Sequence, residues 1–95
     1  MARLTYSKRA LLDLERLSDF LLATDPAAAL ATFALIEEAI LVTERHPYIG
    51  RPLGGGLREL LISRGRSGYV ALYALDETAD VIFILAIRHS REAGY

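Results

Sequence analysis

Cysteine and tryptophan are absent from this chain, proline occurs three times and histidine twice. Without cysteine there is no disulfide and no thiolate metal site, and a pair of histidines does not close a zinc site by itself. No metal or cofactor is therefore expected, and nothing in the chain calls for an oxidising compartment. The opening MARLTYSKRA has no apolar leader core, and no uninterrupted apolar run approaches the roughly 18 residues of a membrane span. The expectation is a soluble, cytoplasmic protein. An excess of charge is missing as well: the formal net charge of −1 excludes binding of bare nucleic acid by charge alone, which needs a broad basic surface.

What is abundant is apolar surface. At 53% hydrophobic residues in 95, the composition excludes disorder and leaves more apolar side chains than so small a core can hide, so a partner is expected to cover some of them. Positive charge leans toward the second half, where all six cations are arginine, the side chain whose planar fork suits phosphate and carboxylate partners.

Arg3–Tyr6 alternates like a short strand, and Ser7 offers an N-cap to a helix expected over about residues 8–22. Leu11, Leu14, Leu17, Leu21 and Leu22 recur at the spacing of one helical face. Asp25-Pro26 starts a second helix, expected to residue 46, with Leu30, Phe33, Ile36 or Glu37, Ile40 and Leu41 turned inward and Pro47 closing it. His46 falls in its last turn, where capping is the simpler role. PYIGRPLGGG reads as a loop; its glycines are not followed by Lys-Ser/Thr, so they do not form a phosphate cradle.

Three strand-like runs follow, Leu57–Ser63, Tyr69–Leu75 and Val81–Arg88, separated by short turns that imply an antiparallel meander. The last run does not alternate, so it is expected inside the sheet with both faces buried. The order β-α-α-β-β-β describes an α+β domain over residues 1–95, a two-helix hairpin packed on one face of a small, mostly antiparallel sheet.

The most apolar run ends in the densest polar cluster: Arg88, His89, Arg91, Glu92 and Tyr95. A rigid strand end is a good mount for active side chains. His89 can act as acid or base near neutral pH, the arginines can hold phosphate or carboxylate, and Tyr95 can donate a hydrogen bond or stack. Arg64 and Arg66 sit on the turn between the first two meander strands, at the same end or the opposite one.

Several segments in this order carry a family likeness: Leu4-Thr5-Tyr6-Ser7-Lys8-Arg9-Ala10, His46-Pro47-Tyr48-Ile49-Gly50-Arg51-Pro52, Leu57-Arg58-Glu59-Leu60, Gly68-Tyr69-Val70 and Ile84–Tyr95. Through them the chain resembles, over essentially its whole length, the RelE/ParE superfamily of type II toxin–antitoxin toxins, also called plasmid stabilisation proteins. The resemblance implies a small toxin in a hetero-oligomer with a co-encoded antitoxin that wraps its helices and sheet, with Leu11, Leu14 and Leu21 as antitoxin contacts. RelE-like members cut mRNA on the ribosome without metal, and that activity would fall to His89, Arg91 and Tyr95 as catalytic residues. The nuclease pattern is broken here, because the strand at Leu57–Ile62 has no lysine and Val70 stands where an arginine is wanted. ParE-like members, which share the apolar last strand followed by His-x-Arg, poison DNA gyrase. That resemblance is the closer one, and it would make Arg64, Arg66, Arg88 and Arg91 target-binding residues. A chain that has lost toxicity and serves as an antitoxin-binding regulatory subunit is the third reading.

Overall fold

Each helix begins where a side-chain oxygen meets orphan amides. In the computed structural model, which describes residues 2–64, 67–92 and 94–95, Ser7 Oγ accepts from the Ala10 N–H at 3.0 Å and opens α1, Lys8–Thr24. Asp25 both ends α1, its N–H donating to Leu21 C=O at 2.7 Å, and starts α2, Pro26–Arg45, its carboxylate accepting from Ala28 N–H. The hairpin is tight because one residue does both tasks. His46 closes α2 through its backbone N–H, which donates to Val42 C=O at 2.9 Å.

The sheet has five strands in the order β1-β5-β4-β3-β2: β1 Arg3–Tyr6, β2 Arg51–Gly54, β3 Leu57–Arg64, β4 Ser67–Asp76 and β5 Val81–His89. Only β1 and β5 run parallel, so β5 is internal as expected. The expected order holds with one strand added. Arg51–Gly54, read as loop, pairs antiparallel with β3, and the glycine run is the turn between them. Gly54, Gly55 and Gly56 all have positive φ, a conformation that side chains resist, so the run makes a sharp reversal between two paired strands.

Both helices cover one face of the sheet. The core joins Ala10, Leu17, Ile36 and Ile40 of the helices to Leu60, Ile62, Tyr69, Ala71, Tyr73, Ile82, Ile84 and Ile87 of the strands. The buried stripe of α1 is Ala10, Leu17 and Leu21, with Leu14 at its margin, so Leu11 and Leu22 lie off it and are exposed. That of α2 is Ala29, Thr32, Ile36, Ile40 and Thr43. The inward assignment of Leu30 and Leu41 is therefore corrected: Leu30 is 84% exposed, because small residues bring the α2 stripe close to the sheet and turn the larger leucines outward. Length and apolarity would let α2 cross a membrane, but its Ile36–Ile40 side is packed on the sheet.

The opposite, open face is covered less than the last strand implied. Phe83 of β5 is partly exposed and Leu61 of β3 is 67% exposed, so burial on both sides of β5 is incomplete. Tyr73 ties the sheet to the segment after α2: its hydroxyl accepts from Gly50 N–H and donates to Pro47 C=O, both at 2.8 Å.

Candidate functional site

The polar cluster is divided between the two faces of the sheet, and a single extra residue in β5 divides it. Tyr73 pairs with Ile84 but Leu72 pairs with Ala86, so Leu85 bulges out of the ladder. Directly opposed residues share a face. Beyond the bulge, Ile87 and His89 stand with Ala71 and Tyr69 on the helix side, whereas Ala86 and Arg88 stand with Leu72 and Val70 on the open side.

On the open face the C-terminal residue folds back over β4. Tyr95 Oη donates to Glu59 Oε2 at 2.7 Å, and its ring lies under the Arg88 guanidinium at 4.9 Å. Glu59 is 8% exposed, and its other oxygen accepts from Arg51 Nη2 at 2.6 Å. The Tyr95 hydroxyl, and after it Arg51, hold the Glu59 carboxyl below the usual range in spite of its burial. Burial first, and after it the hydrogen bond to Glu59, push the Tyr95 phenol up to about 12. Arg88 is turned inward on the chain's own end: its Nη1 donates to the carbonyls of His89, Ser90 and Glu92 at 3.1–3.2 Å. Val70 sits beneath, opposed to Leu61 on one side and Arg88 on the other.

On the helix side, His89 borders a cleft of about 550 Å³ between α1 and the C-terminal turn, lined also by Arg16, Leu17, Phe20, Tyr69, Arg91 and Glu92. Its ring meets Tyr69 edge-on at 5.3 Å. His89 Nδ1 accepts from the Arg91 N–H at 3.1 Å, which leaves Nε2 to carry the ring proton. Glu92 clasps the turn, accepting from His89 N–H at 2.7 Å through one oxygen and from Arg16 Nη1 at 2.6 Å through the other. The Arg91 guanidinium is exposed and makes no ion pair among the described residues. Phe20, 61% exposed, lines the same cleft.

The residues singled out in the sequence are thus only partly assembled. His89 and Arg91 meet at the cleft, Arg88 and Tyr95 meet on the open face, and β5 separates the two pairs. Arg64 ends β3 opposite Ser67, next to the Gly68 whose C=O accepts from Ser90 N–H, so its backbone lies at the same end of the sheet as His89. Arg66 lies outside the described residues. Of the three leucines, Leu11 is exposed, Leu14 half-buried and Leu21 buried. Sequence reading passed over Glu59 and Arg51 as the anchor of Tyr95, and Arg16 and Glu92 as the rim of the cleft. Glu59 had a signal: it is a lone acid at an alternating position between Leu57 and Leu61. Arg16 had none, since its partner is 76 positions away.

Comparison with known proteins agrees with this architecture. The family model for the ParE toxin of the type II toxin–antitoxin system parDE matches residues 4–94. Toxin RelE3 of Caulobacter vibrioides is 37% identical over 84 residues, covering 88% of this chain and 89% of that protein. Among solved structures, one from the chromosomal ParDE system of P. aeruginosa superposes with a TM-score of 0.76 at 24% identity, covering 94% of this chain and 96% of that one. The intact E. coli RelBE toxin–antitoxin complex contributes another, with a TM-score of 0.66 at 15% identity over 97% and 100% of the two chains. At such identities the two structures speak for the fold, and the family assignment rests on the match along the sequence. On that match, running almost from end to end, the chain belongs to the ParE toxin family and is a toxin of a type II toxin–antitoxin system.

Proposed function

We propose that this toxin is held inactive by a co-encoded antitoxin and, once released, acts by poisoning DNA gyrase rather than by cutting mRNA. The observation that carries the reading is the division of the polar cluster. A metal-free RNA cut needs base, cation and stacking ring around one phosphate, within hydrogen-bond reach of the reacting atoms. Here His89 borders the helix-side cleft while the Tyr95 hydroxyl is engaged by Glu59 on the open face. The carboxylate in the middle of that face opposes the negative charge that develops in phosphodiester cleavage. Val70 adds no cation beside it. What remains outward is an interface chemistry: the exposed Arg91 and the exposed Phe20 line one cleft, residue types of the kind that anchor protein–protein contacts. Arg64, whose backbone lies at the same end of the sheet, is assigned to target binding with it. The antitoxin covers the apolar side chains left open on the helices, with the exposed Leu11 and the half-buried Leu14 in contact, whereas Leu21 is buried against the chain itself. The structurally similar ParDE and RelBE proteins come from toxin–antitoxin systems.

The mRNA-cleaving alternative draws on one observation, the name of the relative Toxin RelE3. Induction of the chain without its antitoxin, with transcript 5′ ends and gyrase cleavage complexes measured in the same cultures, separates the two. The expected result is accumulated DNA breaks with intact transcripts, weakened more by Arg91→Ala than by His89→Ala. Codon-register transcript ends that disappear on His89→Ala, without gyrase-linked breaks, would overturn the proposal. Normal growth on induction, with neither product, would favour the non-toxic regulatory subunit.

A further inference from the structure

The Leu85 bulge is what sends Arg88 to the open face and His89 to the cleft. Were β5 to continue the register that it keeps from Val81 to Ile84, Tyr69 would oppose Arg88 and Val70 would oppose Ile87. Every side chain beyond Leu85 would then change face, since a one-residue slip inverts the pleat. Burial of Ile87 favours the observed register, yet the bulge takes the Leu85 backbone out of the ladder, and past the end of β1 the Ile87 groups that face away from β4 have no strand partner, so inside the protein both need other partners.

The first turns of α1 supply them. Ser7 Oγ donates to Leu85 C=O at 2.9 Å while it accepts from Ala10 N–H as the helix cap. Asp13 Oδ2 accepts from Ile87 N–H at 2.9 Å. Arg16 leans on the same strand, with Nη2 at 3.4 Å from Ile87 C=O and 3.5 Å from Asp13 Oδ1. The Asp13 side chain is only 13% exposed, so this carboxylate is directed at the strand rather than at solvent. These contacts come from the N-cap and first turns of α1, more than 70 positions earlier in the chain.

We infer that Ser7 and Asp13 are positioning residues, whose clamp on the Leu85 bulge decides which face of the sheet receives Arg88 and which receives His89. The inference is independent of the target, because it concerns how the cluster is divided and not what the cluster binds.

The test is NMR on the full chain, with three readouts: exchange protection of the Ile87 amide, the ring-current shift that Tyr95 imposes on the Arg88 side chain, and the shift that Tyr69 imposes on the His89 ring. Asp13→Ala is expected to lower Ile87 protection by about tenfold or more and to move both ring-current shifts. Asp13→Asn, which keeps a side-chain acceptor oxygen, is expected to retain them. Ser7→Asp keeps the capping acceptor but has no hydrogen to give Leu85 C=O, so it is expected to fold with both shifts displaced. Ile36→Val, a core change away from the clamp, is expected to lower stability and leave all three readouts in place. The inference is overturned if Asp13→Ala leaves the three readouts at their wild-type values, or if Ile36→Val displaces them as much. Should Asp13→Ala fail to fold, Ser7→Asp decides alone: displaced shifts uphold the clamp and unmoved shifts reject it.

Discussion

Replacing Tyr95 with Phe removes one hydroxyl and keeps the ring, so it asks what holds the C-terminal end on the sheet. A hydrogen bond to a charged group contributes about 1.5–3 kcal/mol. Because Tyr95 is 38% exposed, water competes for the same carboxylate and the lower end, about 1.5 kcal/mol, applies. The guanidinium above the ring adds about 0.5–1 kcal/mol. Against these, fixing the backbone of Gly94 and Tyr95 costs about 1–2 kcal/mol per residue. Gain and cost nearly balance, so loss of about 1.5 kcal/mol shifts the attached-to-free ratio about tenfold toward the free tail. Backbone relaxation is the direct assay. In Tyr95→Phe the Gly94 and Tyr95-position order parameters are expected to fall below about 0.6, while residues 89–92, clasped by Arg88 and Glu92, keep their wild-type values. Order parameters unchanged in Tyr95→Phe and lost only in Tyr95→Ala would show that the ring, not the hydroxyl, holds the tail, and the reasoning about Glu59 would fail.

The same contact has a pH window. The Tyr95 phenol is raised to about 12, so its contribution is full below the unfolded tyrosine value of about 10 and is lost as pH rises through 12. The Glu59 carboxyl is depressed, so its contribution is full above about 4.3 and is lost as pH falls through its lower folded value. Tail order followed by NMR should therefore be flat across neutral pH and decline at both extremes, and release between pH 6 and 8 would contradict it. Tyr73→Phe leaves the buried Gly50 N–H and the part-buried Pro47 C=O without their partner, and about 1–3 kcal/mol for the first with about 1 kcal/mol for the second, which water can reach, predicts a loss of roughly 2–4 kcal/mol in urea unfolding; a loss under about 0.5 kcal/mol would mean that water replaces the hydroxyl. Gly50→Ala would bring a Cβ to 2.6 Å from Tyr73 Cε1 and Oη, so it should destabilise by about 1–3 kcal/mol, and the double change with Tyr73→Phe should cost less than the sum of the two.

Local chemistry was enough for much of this fold. Ser7, Asp25 and Pro26 mark helix starts by supplying oxygen acceptors or lacking an N–H, and these effects act within one turn of chain. The long apolar run at Val81–Ile87 announced an internal strand because no edge position hides so many side chains. The family-bearing segments, spread from Leu4 to Tyr95, were likewise readable along the chain. Where local signals were weak, packing decided. Leu30 and Leu41 look inward by apolarity but were turned outward when Ala29, Thr32 and Thr43 formed the close face of α2. Arg51–Gly54 became a strand because β3 offered an unpaired edge, a condition invisible within four residues.

The division of the site belongs wholly to the tertiary structure. Residues 88 and 89 alternate in any strand, so sequence predicts that they oppose one another in direction. Which of them faces the helices depends on one residue leaving the ladder at Leu85 and on the Ser7 and Asp13 side chains, at the start of α1, that meet the backbone of Leu85 and Ile87. The pairing of Tyr95 with Glu59 has the same origin, for two side chains 36 positions apart meet only once β3, β4 and β5 lie side by side. Periodicity can say that a side chain alternates, but its absolute direction is a property of register, and register is set by contacts between distant parts of the chain.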